Sequence, residues 1–176
     1  MTVGGVAAHL LGQLGSTLAT LDEPLRGTSP VALDDHYGRV QWRGRPLDAP
    51  TNVSIRGGSE ESASAGPAAL VDGAAADLAE LSARLAAAKS DTLVQQPWTQ
   101  WPLTLDDFLL TRLMELSVHM DDLAVSVGLP TPALPADVTV PVRHLLVDLA
   151  AGRHGDVAVL RALSRAERAP FTVTAF

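Results

Sequence analysis

The sequence predicts an all-α protein. Three observations carry that prediction. Alanine and leucine supply 27 residues each, and both rank high in helix propensity. Runs of β-branched residues are scarce. Apolar side chains recur three and four positions apart in several long segments, the period of a helix with one buried face. At 176 residues and 47% hydrophobic composition, the chain is expected to form a single domain, residues 1–176, with a full core.

The first helix starts almost at Met1, with Thr2 as its cap. Val6, His9, Leu10, Gln13 and Leu14 fall on one side, and the helix ends near Leu21, before Asp22-Glu23-Pro24. Gly4, Gly5 and Gly12 each weaken it by roughly 0.8–1.0 kcal/mol relative to alanine, so something must pack on it. Residues 22–66 read as an irregular connection. Within it, 31–40 forms a short helix holding His36 and Tyr37, and the polar run 57–64 reads as the flexible part.

A second long helix starts at Pro67, a residue suited to the first turn, and runs to about Lys89. Its apolar stripe is Leu70, Ala74, Leu78, Leu81 and Leu85. Residues 95–102 form a loop with Trp98 and Trp101. The third long helix has the clearest start: Thr104 caps it, and Asp106 and Asp107 sit at its positive end. It runs to about Val127 and stops at Gly128, with Pro130 beyond. A fourth helix covers about 138–151 and stops at Gly152, and a fifth runs from Asp156 to about Arg165.

Several function classes are excluded. The chain has no cysteine, so thiolate metal sites, disulfides and a cysteine nucleophile are out. A net charge of −7 disfavours nucleic acid and anionic membranes, which need a basic face. No apolar run is long enough to span a bilayer and no signal segment is visible, so a cytoplasmic protein is expected. Gly-rich phosphate loops, nucleophile elbows and dinucleotide fingerprints are absent.

On the third long helix, Arg112, Glu115, His119 and Asp122 are spaced 3, 4 and 3. At about 100° per residue they form one narrow stripe at the border of the apolar face. Polar groups beside a core must satisfy one another or bind something. Glu115 and His119 can converge on one point, and His9 lies on the inward side of the first helix. Two histidines and one carboxylate make a metal site with open positions. Zinc fits that donor set, and nickel and ferrous iron accept it too. Asp122 is placed to hold the other nitrogen of His119. The plainer reading of the same spacing is ion pairing along one helix and a satisfied core histidine. His36 is a candidate acid–base group if it approaches the cluster.

Two segments carry a family resemblance: Val3-Gly4-Gly5-Val6-Ala7-Ala8-His9-Leu10, and Arg112-Leu113-Met114-Glu115-Leu116-Ser117-Val118-His119-Met120-Asp121-Asp122-Leu123-Ala124. They resemble the DinB-like metal-binding helical bundles, in particular the mycothiol-dependent maleylpyruvate isomerase N-terminal domain. The second segment is similar to that family's Arg-x-x-Glu-x-x-x-His-x-x-Asp-Leu pattern. The resemblance implies an up-down bundle with additional C-terminal helices. It implies His9, Glu115 and His119 as ligands of a divalent metal, with Arg112 and Asp122 supporting them or touching substrate.

It further implies mycothiol as thiol co-substrate, in a transferase or isomerase acting on a small electrophile. The alternative is a non-catalytic metal-binding or stress-related bundle, and a homodimer is a further expectation. Family bundles place a helix ahead of the one carrying the first histidine, and the isomerases add a C-terminal domain; this chain is expected to lack both. One wall of the bundle would then have to come from residues 138–165 or from a second subunit.

Overall fold

In the computed structural model, which describes residues 1–176, helix α1 spans Val3–Asp22 and begins at the expected cap. The Thr2 hydroxyl oxygen accepts the Gly5 N–H at 3.0 Å. The low helix propensity of its glycines is offset by packing on its neighbours. α1 lies against three other helices: α3 (Pro50–Ala63), α4 (Pro67–Leu85) and α5 (Leu105–Ser126). Gly5 leaves room for the Glu60 side chain of α3 at the first of these approaches. A Cβ there would stand 2.6 Å from a Glu60 carboxylate oxygen.

α3 is the principal departure from the sequence reading. Residues 57–64 belong almost wholly to a helix rather than a flexible connection, and that helix supplies a wall against α1. Local propensity is poor there, with Gly57 and Gly58 adjacent. The helix forms because tertiary contacts hold it. Glu60 accepts the Thr2 N–H at 2.6 Å and the Thr2 hydroxyl at 2.7 Å. Asn52 donates to the Pro46 carbonyl at 3.0 Å, pinning the entry to the helix.

α4 starts at Pro67 as expected but stops at Leu85, short of Lys89. Of its anticipated stripe only Leu81 is buried, while Leu78 is exposed. The face toward α1 mixes apolar and charged residues. Arg84 reaches Asp22 at the end of α1, at 2.6 Å.

The short helix α2 (Leu33–Arg39) buries His36 and Tyr37. A two-stranded antiparallel ribbon, not anticipated from the sequence, pairs Leu93 with Thr104 and Val94 with Leu103. Its loop is built around Gln95, whose amide donates to the carbonyls of Thr99 (2.8 Å) and Trp101 (3.1 Å). That fixes the position of Trp101. Thr104 then caps α5 by accepting the Asp107 N–H at 3.2 Å.

α6 (Ala136–His154) runs past Gly152, the expected stop, and ends at Gly155. The reason is conformational. Gly155 takes φ of +85°, a left-handed backbone that glycine alone adopts freely, and Gly152 does not. α7 (Asp156–Ser164) follows, and the tail returns to the body so that Phe176 packs on Trp42 and Tyr37.

Two apolar clusters result. One joins Tyr37 and Met114 to Val142, Leu145 and Leu149 of α6 and Ala175 of the tail. The other holds Val94, Leu103, Leu105 and Phe108. The architecture is an all-α, DinB-like bundle with additional C-terminal helices, and no helix is long and apolar enough to cross a membrane.

Candidate metal centre

The packing of α1 on α5 decides the site. His9 projects from α1 toward the Glu115–His119 face of α5, and the two imidazole rings stand edge to face with centroids 4.6 Å apart. Nε2 of His119 lies 3.2 Å from Glu115 Oε2, and Nε2 of His9 lies 3.9 Å from the same oxygen. One donor atom from each of the three residues falls within 4.8 Å of the other two. The sequence-predicted trio is therefore brought together from residues 106 positions apart.

The outer nitrogens show how the rings are held. Asp122 sits 2.9 Å from Nδ1 of His119, as the spacing suggests. Ser59 Oγ sits 3.3 Å from Nδ1 of His9. Sequence reasoning missed Ser59, because it lies in the segment read as flexible. Its only local signal is its place in a run starting at Pro50, a favoured first helical residue. Each imidazole thus has its outer nitrogen occupied and its Nε2 turned toward one carboxylate. That is the arrangement in which neighbouring groups orient metal-binding imidazoles.

Charge follows from the geometry. Burial works against ionisation of Glu115, but the His119 hydrogen bond, the His9 imidazole 3.9 Å away and the nearby Arg112 charge outweigh it, and the carboxyl is held down at about 2. Burial would likewise lower His119, yet its bonds to Glu115 and Asp122 win and its pKa is raised. A carboxylate that stays ionised between two imidazoles is a competent ligand set for a divalent cation. Three protein donors leave further coordination positions open. The donor chemistry and the fixed outer nitrogens both fit such an ion.

Arg112 continues the stripe but does not join the trio. One of its Nη groups donates to Gln13 Oε1, and Nε donates to Thr111 Oγ1 at 3.1 Å. Gln13 in turn donates to the His9 carbonyl at 3.2 Å, so Arg112 is tied to the α1 turn that carries His9.

The model of the mycothiol maleylpyruvate isomerase N-terminal domain matches residues 2–124. The chain belongs to that family. The matched region contains α1 to α5 up to Ala124, and with them every residue of the cluster. No curated protein and no solved structure matches the chain.

In this family member none of the remaining histidines supplies a donor atom to the trio. His36 is buried on α2, with its Nδ1 accepting the Trp101 indole N–H at 3.1 Å. Burial and the Arg112 charge push its pKa down to about 4. It is therefore neutral across the physiological range, which is a poor setting for the acid–base exchange anticipated from the sequence. His144 is exposed on α6, and Nε2 of His154 sits 2.9 Å from the Thr174 carbonyl oxygen.

Proposed function

We propose that the chain binds one divalent metal ion, zinc in the first instance, through His9, Glu115 and His119, and uses it in a mycothiol-dependent transfer or isomerisation of a small electrophile. The observation that carries this reading is the convergence of two Nε2 atoms on one ionised carboxylate, with both outer nitrogens already held by Ser59 and Asp122. When bound, the ion would lower the pKa of a thiol and favour its thiolate, the nucleophilic form.

The side chains have distinct tasks. Glu115 brings the single negative charge of the set. Ser59 and Asp122 fix which nitrogen of each ring is free to ligate. All three ligands retain some solvent exposure, 14–19% at the side chain, so a co-substrate can approach from that side. The protein has no cysteine, which agrees with a sulfur nucleophile supplied by a separate molecule.

Elemental analysis of the purified protein tests the ligand set. About one equivalent of zinc, nickel or iron is expected, and it should be lost in His119→Ala. Full metal content in that variant rejects the assignment. Assay with mycothiol and 1-chloro-2,4-dinitrobenzene tests the chemistry. Conjugation that stops on chelation is expected, whereas metal without any thiol transfer would leave a non-catalytic metal-binding bundle.

A further inference from the structure

α6, α7 and the tail enclose an apolar groove that the metal centre does not use. Its volume is about 470 Å³, within the range of sites that take small molecules. α6 forms one wall with Thr139, Val142, Arg143, Leu146, Val147 and Ala150, which share a face because they are spaced three and four apart. α7 contributes Val159 and Leu163, and residues 173–176 of the tail also line it. The tail is a fixed wall. Nε2 of His154 donates to the Thr174 carbonyl at 2.9 Å, Ala175 is buried, and Phe176 packs on Trp42.

The groove lies on the far side of α5 from the trio. The one α5 residue in its lining is Ser117. Ser117 stands two positions from both Glu115 and His119, and at 3.6 residues per turn that carries it to the opposite side of the helix.

The groove is polarised along its length. Arg143 is its only charged residue, no Asp or Glu lines it, and Arg143 makes no ion pair in the protein. Thr139 places a hydroxyl one turn before it. The α6 lining residues beyond Arg143 are all apolar, over a run of about 10 Å at 1.5 Å per residue. Leu163 of α7 is left 71% exposed, so apolar surface stands open to water. An aliphatic chain would cover that surface favourably, and an unpaired guanidinium at one end calls for an anionic head.

We propose that this groove binds a medium-chain aliphatic carboxylate, with its head on Arg143 and Thr139 and its chain along Leu146, Val147 and Ala150. Binding here is independent of whether His9, Glu115 and His119 hold a metal.

Calorimetric titration of the full chain tests it, after chelation so that a carboxylate finds no metal. The probes are hexanoate, octanoate and decanoate below their micelle concentrations, with octanol as the uncharged counterpart. Affinity should rise by about tenfold for each two added carbons, the gain from burying methylenes. Octanoate should bind about tenfold tighter than octanol. In NMR spectra octanoate should shift the methyl signals of Ala150 and Val159 and leave the His9 and His119 rings in place.

Arg143→Gln should bring octanoate down to the affinity of octanol and leave octanol unchanged. Val147→Phe should weaken both by at least about tenfold by filling the groove. Val147 lies outside the core cluster, so this variant should fold. If it does not, Arg143→Gln, an exposed change, decides alone. The groove reading is overturned if none of the acids binds, if affinity does not grow with chain length, if octanol matches octanoate, if Arg143→Gln keeps parental affinity for octanoate, or if the histidine rings respond in place of the methyls. Sedimentation should show a monomer. A parental dimer that Val147→Phe splits would make the groove an interface between copies and would overturn the ligand.

Discussion

At the scale of single residues, the cluster is a set of opposed protonation tendencies. Glu115 titrates at about 2 instead of the ordinary 4.5. A carboxyl lowered by folding stabilises the protein above its unfolded value, and that contribution disappears as pH falls from about 4.5 to about 2. His119 is raised, so its contribution is complete below about 6.5 and is lost as pH climbs through its elevated value. Chelated protein should therefore be most stable between about pH 4.5 and 6.5. Glu115→Gln should flatten both limbs, which urea denaturation at pH 3, 5.5 and 8.5 would show. Metal uptake runs the other way. Protons compete for His119, so zinc affinity should rise from pH 5.5 to 8, and Glu115→Gln should lower it by more than the roughly 10–100-fold typical of losing an orienting neighbour. Competition with a chromophoric chelator measures both. The trio was legible in the sequence because its logic is local: an i, i+4 pair on one capped helix, and a lone inward histidine on another. That the buried Tyr37 hydroxyl has no hydrogen-bond partner was not legible, because it depends on what surrounds the hydroxyl in three dimensions.

At the scale of elements, α3 shows where sequence reading fails for a physical reason. Propensity and apolar pattern identify α1, α4, α5 and α7, each a helix with caps or breakers at its ends. α3 has two adjacent glycines and one buried residue, Ser59, so Pro50 apart nothing in its own sequence announces a helix. Its order comes from Glu60 on Thr2 and from Ser59 on His9. Two predictions belong here. Ser59→Ala should leave the fold intact and weaken zinc binding by about tenfold, since it frees the outer nitrogen of His9. Gly57→Ala and Gly58→Ala should each stabilise the protein by up to about 0.8–1.0 kcal/mol, because a Cβ at either position meets nothing within 4 Å. Gly5→Ala gains the same propensity but drives its Cβ into Glu60, and should show no net gain in thermal melting. The misplaced end of α6 has the same origin as the missed α3. Gly152 and Gly155 look alike in sequence, and only the backbone around them distinguishes an interior glycine from a terminating one.

At the scale of the whole molecule, the question is how the family region and the chain beyond it depend on each other. The family match ends at Ala124, yet the larger apolar cluster crosses that boundary. Tyr37 and Met114 lie on one side of it, and Val142, Leu145, Leu149 and Ala175 on the other. Leu149 is 1% exposed, and its carbonyl accepts the Arg43 guanidinium at 2.8 Å. α6 is thus part of the core that seats α2 with its buried His36 and Tyr37. Leu149→Ala should cost about 2–5 kcal/mol, as for other buried leucines that leave a cavity. A chain stopped at Gly128 would uncover Tyr37 and Met114 together and should fail to fold cooperatively in a calorimeter. The trio itself sits on α1 and α5, and α5 also carries Met114 of this cluster. If the truncated chain nevertheless bound zinc with parental affinity and melted in one transition, α6 and α7 would be an independent appendage, and the coupling argued here between the C-terminal helices and the site would be wrong.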